Sequence, residues 1–192
     1  MQVKETLYLK NMLCSCCLRL LREHLEKIGL LIREIKLGEV SFSYESEMID
    51  MEKITETINH LGFEIITGRN KILVEEIKKA VIELIHELNN TDSIIRKSDY
   101  LVEKLGMTYQ TLSKTFSQNE PITLERYIIL QKIEKIKEMI DSEEYTLSEI
   151  AYMMDYSSVQ HLSQQFKQIT NLTVSEYKKS DRSFRKPIDD LY

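Results

Sequence analysis

Proline and glycine are scarce in this chain of 192 residues, which has two Pro and five Gly. So few breakers allow few sharp turns and predict long helices. An excess of basic charge is also missing. Lys and Arg number 26 against 31 Asp and Glu, giving a net charge of −5 at pH 7. A general basic coat for nucleic acid is excluded, and any DNA contact must be local. No stretch approaches the roughly 18 uncharged apolar residues of a membrane span. The start, Met1-Gln2-Val3-Lys4-Glu5, lacks the charged-then-apolar layout of a signal peptide. The expectation is a cytoplasmic chain, in a compartment where thiols stay reduced. No Ser-His-acid set, phosphate-cradling Gly loop or paired acidic cleft is legible, so an enzyme is not expected. Cysteine is confined to Cys14, Cys16 and Cys17. Cysteines this close in sequence cannot staple a fold, which leaves metal or redox chemistry. What is plentiful is apolar material, at 42% of residues, enough for a packed core.

The chain changes character near Gly68. Before it, strand and helix patterns alternate. Val3 to Lys10 reads as a strand and Asn11 to Ser15 as a loop. Cys16 to Ile28 carries a helical stripe of Cys17, Leu18, Leu21, Leu25 and Ile28 that stops at Gly29. Leu31 to Leu37 and Val40 to Tyr44 read as strands joined by a tight turn at Gly38-Glu39. Met51 to Leu61 is a second helix, stopped by Gly62, and Phe63 to Ile66 a short fourth strand. The order is β-α-β-β-α-β, the split-βαβ or ferredoxin-like plan. After Thr67-Gly68-Arg69-Asn70 the patterns are helical. Ile72 to Leu88 has the spacing of a short coiled-coil seam, and two heptads favour a core helix instead. Helices are expected at Asp99–Leu105, Tyr109–Ser117, Leu124–Ile140, Leu147–Met154, Val159–Ile169 and Val174–Lys179. The expected organisation is an α+β domain over residues 1–68, an all-α domain over 69–180 and a polar tail over 181–192. With no flexible linker, movement of the first domain should reach the second.

Met12-Leu13-Cys14-Ser15-Cys16-Cys17 carries a CxxC at Cys14 and Cys17. Thiols three apart at a helix start have Cβ atoms about 5–6 Å apart. Both can reach one ion through bonds of roughly 2.3 Å. A helix N-terminus favours thiolates, and Arg19 and Arg22 add positive charge. Two soft sulfurs suit Cu(I) better than a closed zinc site. His24 lies about 10.5 Å along the helix from Cys17 and is a poor ligand. His60 reads as a solvated surface residue. Burial of Cys17 in the helix core and a redox pair are the alternatives. Met-x-Cys-x-x-Cys between the first strand and first helix of a β-α-β-β-α-β domain resembles the heavy-metal-associated domain of copper chaperones and metal-pumping ATPases. The resemblance covers Val3 to Ile66, including Leu61-Gly62-Phe63-Glu64. It implies that Cys14 and Cys17 are ligands, that Met12 packs inside, and that Phe63 lies near the metal loop. Cys16 departs from the pattern. On a regular helix it points about 100° away from Cys17, and in a loop it becomes a possible third ligand. The implied cofactor is a soft metal ion, Cu(I) first, with Zn(II) or Hg(II) as alternatives.

The second half holds a repeated motif. Ser98 to Phe116 reads helix, Gly106 turn, helix, and Thr146 to Lys167 reads the same with Asp155 at the turn. Thr146 with Glu149 makes a capping box, and Asp tolerates the left-handed conformation that such a turn uses. Leu124 to Ile140, about 25 Å long, can act as a strut between two recognition helices, set one DNA turn of roughly 34 Å apart. This arrangement, with Lys132-Ile133-Glu134-Lys135-Ile136-Lys137-Glu138, Leu147-Ser148-Glu149-Ile150-Ala151-Tyr152 and Phe166-Lys167-Gln168-Ile169-Thr170…Ser175-Glu176-Tyr177, resembles the DNA-binding domain of the AraC family over about Lys71 to Lys179.

The resemblance implies base-facing positions at Gln110, Thr111, Ser113 and Lys114, and at Val159, Gln160, His161, Ser163 and Gln164. Gln pairs with adenine edges, Lys with guanine and Ser with several partners. Ser157 with Gln160 also has a capping-box pattern, and Ser113 and Ser163 can serve only to make room near phosphates. Lys114, Lys132, Lys167, Lys178 and Lys179 are candidate phosphate contacts. The family's usual Gly and Pro before the last helix are replaced by Asn171 and Val174, and the second recognition helix has no Arg. Arg96 to Tyr192 has 14 basic and 15 acidic residues, a poor balance for phosphate-driven affinity. The expected partners are double-stranded DNA, read in the major groove, with RNA polymerase or a second copy of the chain in support.

The leading expectation is a transcription regulator that senses a soft metal through Cys14 and Cys17. A thiol-redox regulator, and a metal carrier whose helical half binds a protein, are the alternatives.

Overall fold

A computed structural model describes residues 2–12, 14–87 and 97–179. Leu13, Leu88 and the 181–192 tail lie outside the described residues. The chain divides into two compact units, Met1–Glu75 and Glu76–Tyr192, and the division falls inside one helix, α3 (Arg69–Ile82).

The first unit contains β1 (Gln2–Lys10), α1 (Ser15–Lys27), β2 (Leu31–Lys36), β3 (Glu39–Glu45), α2 (Met51–His60) and β4 (Glu64–Ile66). The elements follow the order β-α-β-β-α-β, and the strands form one sheet in the order β2-β3-β1-β4. All three pairings are antiparallel. β1 lies at the centre, with Val3 opposite Tyr44, Leu7 opposite Val40 and Tyr8 opposite Ile66. Period-2 alternation sends Val40, Phe42 and Tyr44 to one face, where Leu21 and Leu25 of α1 and Ile54 and Ile58 of α2 close the core. Gly38, at φ +78°, takes the left-handed backbone that the β2–β3 turn requires. Asp50 caps α2 by accepting from the Lys53 N–H at 2.7 Å.

The second unit is helical among its described residues. α3 runs on into a π-helical turn at Glu83–Glu87, which the sequence periodicity does not announce. α4 (Lys97–Leu105), α5 (Tyr109–Asn119), α6 (Leu124–Ser142), α7 (Leu147–Met153), α8 (Val159–Thr170) and α9 (Val174–Lys179) follow. The buried Ile77, Ala80, Val81, Leu84 and Ile85 make α3 and its π turn a core element, as the shorter reading of its spacing predicts. The π turn is tied to α4: Glu83 accepts from Lys104 and, at 2.9 Å, from the Tyr100 hydroxyl. α6 packs against the π turn, α5, α7 and α8.

The two helix-turn-helix pairs are built by one rule. Gly106 (φ +64°) and Asp155 (φ +57°) both adopt the left-handed turn conformation. Buried Phe116 of α5 packs on Tyr127 of α6, with ring centroids 5.3 Å apart, and buried Phe166 of α8 packs on Tyr177 of α9 at 5.5 Å. Asn171, at φ +61°, supplies at the end of α8 the left-handed residue that Gly would otherwise give. None of the described helices is long and apolar enough to cross a membrane.

Two outcomes follow. Gly106→Ala meets no atom within 4 Å of its new Cβ, so its cost is the left-handed backbone alone, about 1–2 kcal/mol. A urea melt followed by circular dichroism should show the loss without a change of m-value. The Lys104 hydrogen bond, and after it the Tyr100 hydroxyl, hold the Glu83 carboxyl below its ordinary value, against burial. A depressed carboxylate stabilises the fold above its unfolded pKa, and that contribution disappears as pH falls through the folded value. The Tm gap between the wild-type protein and Glu83→Gln should therefore be widest near neutral pH and close in acid.

Candidate metal centre and nucleic-acid interface

The three cysteines sit where β1 gives way to α1. Asn11 takes a left-handed conformation (φ +68°) and donates to the Gly62 carbonyl at 3.3 Å. That bond ties the loop to the residue before Phe63. Met12 is fully buried. Cys14 is the N-cap of α1, with extended backbone and no side-chain cap bond. Its carbonyl accepts from the Cys17 N–H at 3.1 Å.

Cys16 and Cys17 lie in the first helical turn, so Cys16 is not a loop residue. It nevertheless joins the cluster, because the extended cap lets the Cys14 side chain fold back over that turn. The three Sγ atoms lie within 4.8 Å of one another. Those of Cys14 and Cys17 are 3.3 Å apart, and those of Cys14 and Cys16 are in disulfide contact. A bond between residues two apart joins no distant parts of the chain. Cys17 packs against the apolar core, whereas Cys14 and Cys16 are exposed. The first turn of α1 contains no acidic residue, which leaves the helix N-terminus electropositive. Arg22 pairs with Glu26 at 3.4 Å, one turn further on. His24 contacts the Leu20 carbonyl through Nδ1 at 2.9 Å, along its own helix. Among the described residues no His, Asp or Glu completes the cluster. With the Cys14–Cys16 contact reduced, the donor set is three sulfurs, which fits a soft ion.

In the helical unit α5 begins at the N-cap Thr108, whose hydroxyl accepts from the Thr111 N–H. Gln110, Thr111 and Lys114 are exposed. Ser113 is half-buried and donates to Glu125 at 3.1 Å, and the Tyr109 hydroxyl donates to the same oxygen at 3.0 Å. Burial first, and the Glu125 carboxylate second, push the Tyr109 phenol up to about 12. Glu125 thus pins α5 to the first turn of α6, a role the sequence reading missed.

For α8 the structure decides between two readings of its start. Ser158, not Ser157, is the N-cap, and it accepts from the His161 N–H at 3.1 Å. The Ser157–Gln160 capping box is therefore absent, and Gln160 is exposed in the first turn. Thr108 and Ser158 are 50 residues apart, as are Leu112 and Leu162, Phe116 and Phe166, Thr123 and Thr173, and Tyr127 and Tyr177. The left-handed turn residues Gly106 and Asp155 are 49 apart. The second turn is one residue longer, and the repeat extends past the helix pair into the helix that follows. His161 and Gln164 are exposed, and Val159 and Ser163 half-buried. His161 also contacts the Ser157 hydroxyl through Nδ1 at 3.2 Å and packs edge-on to Tyr156.

Lys132 does not face outward. It is buried on α6 with its ammonium 4.4 Å from the centre of the Tyr156 ring. That cation–π contact uses the charge internally and removes Lys132 from the phosphate contacts. Lys167, Lys178 and Lys179 are exposed. A cavity of about 400 Å³ between α7, α8 and α9 brings Ser163, Gln164, Lys167 and Lys178 together, with Thr173 and Ser175 beside them.

The comparisons with known proteins bear on this half. The family model described as a helix-turn-helix domain matches residues 101–180. A stretch of 99 residues is 28% identical to the xylose operon regulatory protein of Escherichia coli, in strain K12 and in two others. The match covers 52% of this chain and 25% of those proteins, so the chain spans about a quarter of the relatives it resembles. The crystal structure of the transcriptional regulator CdpR from Pseudomonas aeruginosa aligns over 83% of this chain and 51% of its own, at 14% identity and a TM-score of 0.46. A likeness at that level does not establish a shared fold. The domain match and the 99 residues shared with these regulators support a DNA-binding regulator.

The choice of cap is testable. Ser158→Ala should destabilise the helical unit by about 1 kcal/mol, whereas Ser157→Ala should cost clearly less, in paired urea melts.

Proposed function

We propose that the chain is a sequence-specific DNA-binding transcription regulator whose first unit senses a soft metal ion at its cysteines. In this reading residues 69–180 are an AraC-type DNA-binding domain, and residues 1–68 a ferredoxin-like domain of the heavy-metal-associated type. The observation that carries the DNA-binding part is the repeat spaced by 50 residues within the matched helix-turn-helix region. Two capped helices, α5 and α8, each lean on a following helix through the same Phe–Tyr pair. Duplicated recognition helices serve to read two stretches of major groove. Gln110, Thr111 and Lys114 on α5, and Gln160, His161 and Gln164 on α8, are the proposed base readers, with Val159, Ser113 and Ser163 lining the approach. Lys114, Lys167, Lys178 and Lys179 are the proposed phosphate contacts. Cys14 and Cys17 are the proposed ligands. Cu(I) is the ion that a two-thiolate site suits, and Zn(II) and Hg(II) are the comparisons. RNA polymerase and a second copy of the chain are the proposed protein partners.

The disulfide contact between Cys14 and Cys16 favours one second reading. Their oxidation by a peroxide-class oxidant, which takes up two electrons and two protons, would replace metal as the input.

The test is anaerobic DNA binding read by fluorescence anisotropy, on DNA from just upstream of the protein's own gene and on sites recovered by random-sequence selection. Reduced, metal-free protein should bind, and one equivalent of Cu(I) should change its affinity. Replacing both Cys14 and Cys17 with Ser should abolish that change and preserve metal-free binding. A response that persists in the double variant refutes the ligand assignment. A response to oxidant alone, reversed by a dithiol, favours the redox reading. Gln160→Ala should lose about 1–3 kcal/mol of discrimination at one base, whereas Lys167→Ala should weaken all sequences alike.

A further inference from the structure

Cys14 has two sulfur partners and cannot serve both at once. Its Sγ is in disulfide contact with Cys16, and the same sulfur is required by the Cys14–Cys17 metal pair. A cysteine ligates a metal as the thiolate, and a sulfur bonded to sulfur is not one. The bond to Cys16 and the two-thiolate site therefore exclude each other at Cys14.

The backbone allows that exchange without rearrangement. The Cα atoms of Cys14 and Cys16 are 5.4 Å apart, inside the ordinary span of a disulfide, about 4.4–6.8 Å. Contacts that do not involve the sulfurs hold this backbone in place. Met12 is fully buried, Asn11 donates to the Gly62 carbonyl, and the Cys17 N–H donates to the Cys14 carbonyl. Opening or closing the bond then asks only for side-chain rotation. Access divides the three cysteines. Cys14 and Cys16 are exposed, while Cys17 is half-buried against the apolar core of the first unit. With an ion on Cys14 and Cys17, the thiol left uncoordinated is the exposed Cys16. An accessible thiol beside a second cysteine is the arrangement through which oxidant-responsive sites work.

We propose that Cys16 is the oxidant-reacting thiol of this site, and that its bond to Cys14 releases the ion by removing one of its two ligands. This rests on the reading of Cys14 and Cys17 as soft-ion ligands and adds to it a second reactant, of the hydroperoxide class. The Cys16 sulfur attacks the peroxide. The O–O bond breaks, an S–O bond forms, and an alcohol, or water from hydrogen peroxide, leaves with the thiol proton. The Cys14 sulfur then displaces hydroxide from the Cys16 sulfenic acid. The S–O and Cys14–ion bonds break, the S–S bond forms, and the hydroxide takes a proton from solvent and leaves as water. The two sulfurs lose two electrons, the peroxide gains them, and the ion departs in its original oxidation state. Metal and oxidant are then opposed inputs that meet at one sulfur.

The experiment uses the full, reduced chain under anaerobic conditions with Cd(II) as the probe, a soft ion that peroxide does not oxidise. Thiolate-to-metal absorption follows the ion. Differential alkylation with tandem mass spectrometry assigns each cysteine as free or bonded. One equivalent of hydrogen peroxide should release the ion from the wild-type protein, bond Cys14 to Cys16 and leave Cys17 free for alkylation. A dithiol should restore binding. Cys16→Ser changes an exposed side chain and should keep its circular dichroism spectrum. It should bind Cd(II) within about threefold of wild type, because the ligand pair is intact. It should release the ion at least about tenfold more slowly, because no uncoordinated thiol remains to meet the peroxide. If Cys16→Ser releases the ion as fast as wild type, or if the new bond joins Cys14 to Cys17, the proposal is refuted and the two-ligand reading stands. If the wild-type protein takes up neither Cd(II) nor Cu(I), the ligand reading fails and the release step fails with it.

Discussion

Helix α6 has little surface to give to water. Ten of its nineteen residues are buried, and four of those, Gln131, Lys132, Glu134 and Lys137, are polar or charged. A buried charge without a partner costs several kcal/mol, so each has to be answered from within the unit. Lys137 donates to Glu134 at 2.5 Å. Gln131 donates to the Tyr127 hydroxyl at 3.0 Å and meets His86 of the π turn at the same distance. Lys132 lies over the Tyr156 ring. No buried side-chain donor or acceptor among the described residues lacks a partner. Such pairs add little net stability compared with an apolar core. Two of them, Gln131–His86 and Lys132–Tyr156, reach beyond α6, to the π turn and to the turn between α7 and α8, while the Lys137–Glu134 and Gln131–Tyr127 bonds stay within it. This polar lock ties α6 to the two turns, while α5 is held on α6 by the Phe116–Tyr127 ring contact and the Glu125 carboxylate.

That lock explains why Lys132 reads differently in sequence and in structure. A lysine on a long helix near a DNA-binding motif reads as a phosphate contact when only composition is available. Nothing in the local sequence shows that Tyr156, 24 residues on, lies beneath it. The same holds for Glu125, whose carboxylate gathers Tyr109 and Ser113. Contacts across elements depend on packing, which periodicity does not encode. The elements themselves were legible, because each carries its own signals. Val40, Phe42 and Tyr44 alternate as a strand must, Thr146 and Glu149 form the capping box as spaced, and Asp155 is left-handed where the Gly106 alignment requires it. The π turn at Glu83–Glu87 was not legible, since Leu84 and Ile85 fit an ordinary α-helix equally well. The start of α8 at Val159 was legible, but the competing Ser157–Gln160 pattern stayed open, because Ser157 and Ser158 are both good caps and only the longer second turn decides between them.

The cysteine site shows the limit in another form. The CxxC spacing states that Cys14 and Cys17 share a helix face. It does not state that Cys14 stands at the N-cap with extended backbone, and this one conformation brings the Cys16 sulfur into the group. A helical Cys14 would have left Cys16 on the far side of α1. The number of sulfurs gathered there is thus set by one residue's backbone and not by the motif.

The charge balance of the second unit now carries more weight. With Lys132 turned inward, a region already near neutrality has one cation fewer to place against phosphates. Each lost phosphate contact lowers affinity and also its dependence on salt. In the proposed DNA-binding role, a domain so near neutrality gains little from overall electrostatic attraction and depends on local cations. In that reading base-edge contacts from α5 and α8 at once make up the difference, since two weak readers on one support bind together far better than either does alone. The packing of α5 and α8 on α6 matters to that reading: if the two helices could shift independently, the gain from joint engagement would be lost to conformational freedom.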